Sequence, residues 1–345
     1  MRTAFNLLLL AASVLAACDA STSPENATQP GDISFDEGVL MRHVRMLAAD
    51  SSCGRPTGSP YERHAAEYIR DAFIEYGLEP GTPEYFQQFP IGPGRVLAQT
   101  NETVAGREAA VICDPTRSPF SQNVIGILPG EGALAGQWIV IGAHYDHLGW
   151  DEPRGTVRVF NGADDNASGT ATVLEAARLL SRFVAAHPNT APHRRSIMFH
   201  AYGAEEEGLV GSLFYVSNPT VAMDSIVAMV NLDMVGRLRD NVLFVIGTVS
   251  YPGWNTLLET ANDGDLRLVF TAEFASRSDQ FGFLVEGVPV AFLHTGLHAE
   301  YHTALDDPDR LNSGGMKEVG ELALALLWEL AVGPPLSQPQ ATVRQ

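Results

Sequence analysis

Five short clusters carry the residue types that bind cations and move protons. They are His144 and Asp146 in Gly142-Ala143-His144-Tyr145-Asp146, the Asp164/Asp165 pair, Glu205 and Glu206 in Gly203-Ala204-Glu205-Glu206-Glu207-Gly208, Asp233, and His302 in Tyr301-His302-Thr303. Imidazoles mixed with carboxylates, and no thiolates, suit zinc or a similar divalent ion at a catalytic centre. One ion needs about three protein ligands. The set His144, Glu206, Asp233, His302 and one Asp of the pair, able to bridge through both oxygens, suits two ions ~3.5–4 Å apart. Three carboxylates and one bridging hydroxide balance the charge of two divalent ions. Glu205 is then free to act as a general base.

These clusters need a scaffold that brings them together. Trp138-Ile139-Val140-Ile141, closed by glycine and polar groups, reads as a buried strand. Residues 170–183 read as a helix, with Val173, Ala176, Ala177, Leu180 and Phe183 on one face and Glu175, Arg178 and Arg182 elsewhere. Further strands are predicted at 196–202, 226–230 and 288–293. A carboxylate or imidazole follows each at or just beyond its carboxyl end, where open α/β sheets place their ligands.

The rest of the chain supplies the frame. Ser34-Phe35-Asp36-Glu37 and Ser59-Pro60-Tyr61-Glu62 have the capping-box pattern; they open helices carrying Val39, Leu40, Val44 and Leu47, and Ala65, Ala66, Ile69 and Phe73. Gly77 is a stop signal for the second. Strand-like pieces follow at 85–89, 99–104, 109–113 and 121–128, a further strand at 239–247, a helix at 254–261 and an amphipathic closing helix at 316–330. The chain has 345 residues, 45% of them hydrophobic, enough for one large α/β domain with a full core. With 22 basic against 41 acidic residues, a nucleic-acid surface is not expected.

Residues 1–18 read as a signal peptide: Met1-Arg2, then an apolar run over residues 7–17 far shorter than the ~20 residues a bilayer crossing needs. Its ending, Leu15-Ala16-Ala17-Cys18, resembles the lipobox of bacterial lipoproteins. The expectation is export from a bacterial cytoplasm to the periplasm or cell envelope, with the membrane reached only through a lipid on Cys18. Residues 19–33 read as a flexible tether, 34–332 as the folded domain and 333–345 as a disordered tail. In an oxidising compartment Cys53 and Cys113 can join as a disulfide, contributing roughly 4 kcal/mol by closing the intervening loop, or stand as separate thiols.

The motifs GAHYDHLG, NGADDNASGT, AYGAEEEGLVGS, NLDMVGR and EYHTALD resemble, in order, those of zinc-dependent aminopeptidases of the leucyl aminopeptidase and aminopeptidase Y type. These are broadly related to glutamate carboxypeptidase and glutaminyl cyclase. The resemblance covers residues 34–330. It implies a single-domain three-layer α/β/α fold with a mixed, mostly parallel central sheet, the di-zinc exopeptidase (phosphorylase/hydrolase-like) architecture. It implies two zinc ions per chain, His144 and Asp233 on one, Glu206 and His302 on the other. Asp165, three positions before Ser168-Gly169, bridges them and precedes a cis peptide. It also implies peptide substrates with a free N-terminus and Glu205 as the base. Asp146 is expected to orient His144, and Asp306 to do so for His302. Tyr301 resembles a tyrosine that donates to the tetrahedral oxyanion in some relatives, and it also reads as an ordinary loop aromatic. Met234 with Phe281 or Phe283 are candidates for an apolar pocket or for core packing.

Ser278-Asp279-Gln280 departs from the Ser-Asp-His of relatives at a position that holds no metal. His43, His64, His187 and His193 read as surface or packing residues. His147, His200, His294 and His298 match no ligand position. Carboxypeptidase or dipeptidase activity, glutaminyl cyclisation and a catalytically silent binding role are the alternatives on the same frame. Retention of Glu205 and every ligand disfavours the last.

Overall fold

The computed structural model describes residues 29–93, 111–152, 156–272, 276–334 and 336. The leader, the tether up to residue 28, the strand predicted at 99–104 and nearly all of the tail lie outside them. The described strands are β1 (Glu79–Pro80), β2 (Phe86–Pro90), β3 (Phe120–Leu128), β4 (Trp138–His144), β5 (Gly149–Asp151), β6 (Arg158–Phe160), β7 (Ser196–Tyr202), β8 (Ile226–Leu232), β9 (Val242–Ile246), β10 (Arg267–Thr271) and β11 (Val290–His294). The helices are α1 (Glu37–Leu47), α2 (Pro60–Glu75), α3 (Gly169–Ala186), α4 (Val210–Ser217), α5 (Trp254–Ala261), α6 (Gln280–Val285) and α7 (Ser313–Val332).

Nine strands form one mixed sheet in the order β1-β3-β7-β4-β8-β11-β9-β10, with β2 also on β3. The central strands β7, β4, β8 and β11 are mutually parallel, and antiparallel pairs flank them at β3 and β9. From β4 the chain passes through α3 to β7 on one side, then through α4 to β8 on the other. The carboxyl end of β4 is therefore a switch point, where a crevice opens between diverging connections.

Both faces of the sheet are covered, which is why its central strands are apolar almost throughout. Ile139, Ile141, Ala228 and Val230 face a core shared with α1, α2, α3, α5 and α7, while Val140, Met198 and Met229 face α4 and α6 through Tyr215 and Phe283. Burying one Leu- or Ile-sized side chain stabilises the fold by about 1.5–3 kcal/mol, and these layers hold dozens. Among the described residues no helix is long and apolar enough to cross a membrane.

Several local readings change. Asp36, not Ser34, caps α1, accepting from the N–H groups of Gly38 and Val39; Ser34 donates instead to Glu321 across to α7. Ser59 does cap α2, but the Glu62 side chain reaches back to the Gly58 N–H. Gly77, at φ +76°, ends α2 as expected. Within the stretch read as a tether, Pro30 and Ile33 are buried. Glu175, expected off the apolar face of α3, is fully buried: α1 covers it, and Arg178 and the Asp36 N–H satisfy it. Residues 111–113 form no strand, since Cys113 is held by a disulfide to Cys53 and packs with Val159.

Candidate metal centre

His144 is the last residue of β4, and the chain leaves the sheet through Tyr145, Asp146 and His147. Asp165 lies in the irregular turn before α3. Its partner Asp164 points away: Oδ1 accepts from the Gly236 N–H at 2.6 Å and the Ser168 hydroxyl at 3.1 Å, and Oδ2 is 3.2 Å from His298 Nε2. The Asp165–Asn166 peptide is cis. The Asn166 side chain is tied to the end of β8 through the Leu232 carbonyl and the Met234 N–H. Glu205 and Glu206 follow β7, Asp233 follows β8, and His302 sits beneath Tyr301, ring centroids 3.8 Å apart.

These side chains converge. Asp165 presents Oδ1 to His144 Nε2 at 3.2 Å and Oδ2 to His302 Nε2 at 3.0 Å. His144 Nε2 is 3.5 Å from Asp233 Oδ1, and His302 Nε2 is 3.5 Å from Glu206 Oε2. Around a tetrahedral zinc with ~2.0–2.2 Å bonds, neighbouring ligand atoms stand roughly 3.3 Å apart, so the donor set fits. Glu205 offers an oxygen within 4.8 Å of the donor atoms of His144 and Asp233.

The electrostatics show a local excess of negative charge. Burial alone would raise the Asp165 carboxyl, but the imidazoles of His144, His147 and His302 hold it well below the usual range. Burial pushes Glu205 well up, with Glu206, Asp279 and Asp233 adding to it against His144. Burial would lower His144, yet Glu205 and Asp233 raise it well above an ordinary histidine. Four carboxylates crowded on a few imidazoles form a place for divalent cations.

Two supporting roles differ from expectation. His144 Nδ1 lies 3.2 Å from the main-chain carbonyl of Asp146 and 3.8 Å from its carboxylate. That carboxylate accepts from the main-chain N–H groups of Glu205 and Glu206 and from the Thr57 hydroxyl. Asp306 does not reach His302: it accepts from the N–H groups of Asp164 and Asp165, fixing the turn that carries the latter.

Sequence reasoning passed over two residues. His147 is buried with Nδ1 2.7 Å from Glu206 Oε1. Arg55, also buried, donates to the main-chain carbonyls of Leu47, Tyr145, Asn161 and Gly162, clamping three segments around the site. Adjacency of His147 to Asp146 was a signal for the first; nothing in the loop marks the second. Gln280 and Ser278 both accept from the Asn231 amide, so the departure from Ser-Asp-His is absorbed in a buried contact.

Beside the centre opens a cavity of about 360 Å³ lined by Leu209, Met234, Phe292, His294, Leu297 and Tyr301. Phe283 is not on it but packs in the core against Tyr215.

Fold and site together define an α/β metalloprotein with its ion-binding groups at a sheet switch point. The family model described as "Peptidase family M28" matches residues 123–327, and the chain belongs to that peptidase family. Leucine aminopeptidase 1 of Grosmannia clavigera is 30% identical over 254 residues, 68% of this chain and 60% of the fungal protein's own length. An aminopeptidase from Aneurinibacillus sp. strain AM-1 superposes with a TM-score of 0.64 at 18% identity, covering 91% of this chain and 98% of that one. A zinc aminopeptidase from Bacillus subtilis gives 0.64 at 19% identity, covering 87% and 96%.

Proposed function

We propose that this chain is a di-zinc aminopeptidase that removes single residues from peptide N-termini. The observation that carries the reading is the placement of Asp165 between His144 and His302, one oxygen toward each imidazole. His144 and Asp233 would hold one zinc, Glu206 and His302 the other, with Asp165 shared. When bound, the pair would polarise the scissile carbonyl and lower the pKa of a water toward ~7.

The chain's own groups do the rest. Glu205 takes a proton from the attacking water and returns it to the leaving amine. Asp146 fixes the Glu205–Glu206 turn through its main chain, so that one carboxylate serves metal while its neighbour stays free. Tyr301, exposed at the rim of the cavity, would donate to the developing oxyanion. The cavity beside the centre, with Met234, Phe292 and Leu297 on its wall, suits an apolar N-terminal side chain.

The lipobox at residues 15–18 supports export and anchoring through Cys18, and a Cys53–Cys113 disulfide accords with an oxidising compartment. The test uses protein lacking residues 1–18. Two zinc ions per chain, with chelator-sensitive release from free but not N-blocked peptides, are expected. Equal cleavage of free and blocked peptides would remove the aminopeptidase assignment.

A further inference from the structure

The second ion position has a buried imidazole behind it. His147 is 1% exposed. Its Nδ1 stands 2.7 Å from Glu206 Oε1 and 3.9 Å from Asp165 Oδ2. An ionised carboxylate only accepts, so at 2.7 Å the proton sits on Nδ1 and His147 donates. The other ring nitrogen, Nε2, is buried with no hydrogen-bond partner, so the ring's polar contacts all point at the site.

The ring is also held in place from outside the centre. Its main-chain N–H donates to the Arg55 carbonyl at 3.1 Å. It lies on the backbone of Gly162, where φ is +55° and a Cβ would collide with the imidazole. The Arg55 guanidinium grips the Gly162 carbonyl in turn. His147 is therefore fixed to the turn that carries Asp165, while its donor reaches across to the turn that carries Glu206.

We infer that His147 is a positioning residue for the second ion: by donating to Glu206 Oε1 it leaves Oε2, 3.5 Å from His302 Nε2, aimed at the metal, and so sets the affinity of that position. Partners of this kind, hydrogen-bonded to a ligating carboxylate, are worth about 10–100-fold in metal affinity. The inference rests on the two-ion reading above.

The test compares the full chain with His147→Phe, which keeps a ring but no donor, and His147→Asn, whose amide nitrogen falls near the place of Nδ1. Zinc per chain is measured by elemental mass spectrometry, and each affinity by competition with a chromophoric chelator. The expected result is two ions in the wild type. His147→Phe should bind one ion as tightly as the wild type and the other about 10–100-fold more weakly, with His147→Asn between. Unchanged binding of both ions in His147→Phe would overturn the inference. So would an equal loss of both with a lowered metal-free melting temperature, the mark of a merely structural ring. A wild type that binds a single ion overturns the two-ion reading itself, and is told apart by the wild-type measurement alone.

Discussion

The main-chain N–H of Glu205 donates to Asp146 Oδ1 at 3.0 Å, so the residue proposed as base is tied to the loop beyond His144. Base and metal ligand then keep a fixed relationship through the main chain as well as through the closeness of their side chains. Glu205→Gln leaves that main-chain bond intact and should retain its zinc while losing about 10²–10⁴-fold in kcat. Metal analysis beside steady-state rates on a leucine-type substrate checks it; near-normal turnover would remove the base assignment.

Arg55 makes the clearest prediction about stability. Burial lowers its pKa to about 10, with Asp146, Asp165, Asp306 and Glu206 opposing the shift; it stays charged at neutral pH. Arg55→Met fills similar space but leaves the buried carbonyls of Leu47, Tyr145 and Asn161 without this donor, while Gly162 keeps the Ala167 N–H. At about 1–3 kcal/mol for an unsatisfied buried group, partly offset by relaxation, a loss of at least ~3 kcal/mol is expected in urea unfolding of the metal-free protein. A change within experimental error would show that the clamp is dispensable.

Two buried groups give the stability opposite pH slopes. Burial lowers His200 to about 3. The folded state then binds fewer protons than the unfolded one below about pH 6.5, and stability is lost as the pH falls. His200→Phe, set among Tyr202 and Tyr215, should gain on the wild type progressively from pH 6.5 to 4. Burial, reinforced by Asp146, raises Glu62 to about 8. Here the contribution is complete below about pH 4.5 and is lost as the pH rises toward 8. Glu62→Gln should therefore gain on the wild type between pH 5 and 8. Urea midpoints at pH 4, 6.5 and 8 read both, and parallel curves for variant and wild type would contradict them.

The Cys53–Cys113 disulfide spans a sequence separation of 60 residues. In the chain-entropy model its reduction costs about 4 kcal/mol. A Cys53→Ala/Cys113→Ala double variant should melt well below the oxidised wild type and match the reduced one. Coincident melting of all three would deny the bridge a role in stability.

What could be seen in the sequence followed periodicity and motif. β4, β7 and β8 stood out as apolar runs because both faces of the sheet are covered, and α3, α5 and α7 because their stripes repeat at helical spacing. His144, the Asp164/Asp165 pair, Glu205, Glu206, Asp233 and His302 could be singled out because each lies at a strand end or in a polar cluster, and Asp165 was told from Asp164 by the family resemblance alone. The buried polar supports could not. Arg55 leaves no pattern, since its bonds go to main-chain carbonyls of segments distant in sequence. Glu175 reads as surface until α1 is laid over it. Asp306 was assigned to an imidazole, whereas its carboxylate holds a main-chain turn, and Asp146 meets His144 chiefly through its carbonyl while its carboxylate holds the Glu205–Glu206 turn, choices set by tertiary path rather than by residue type. Asp36 displaced Ser34 as a cap because Ser34 is drawn across to Glu321.

The cage is assembled from the ends of β4, β7 and β8, the turn before α3 and the loop after β11, so its members span residues 144 to 302. A contiguous fragment lacking either limit of that span has an incomplete cage. An enzyme built on this cage, as proposed above, would therefore gain its hydrolytic power only once the sheet has closed and brought all five segments together.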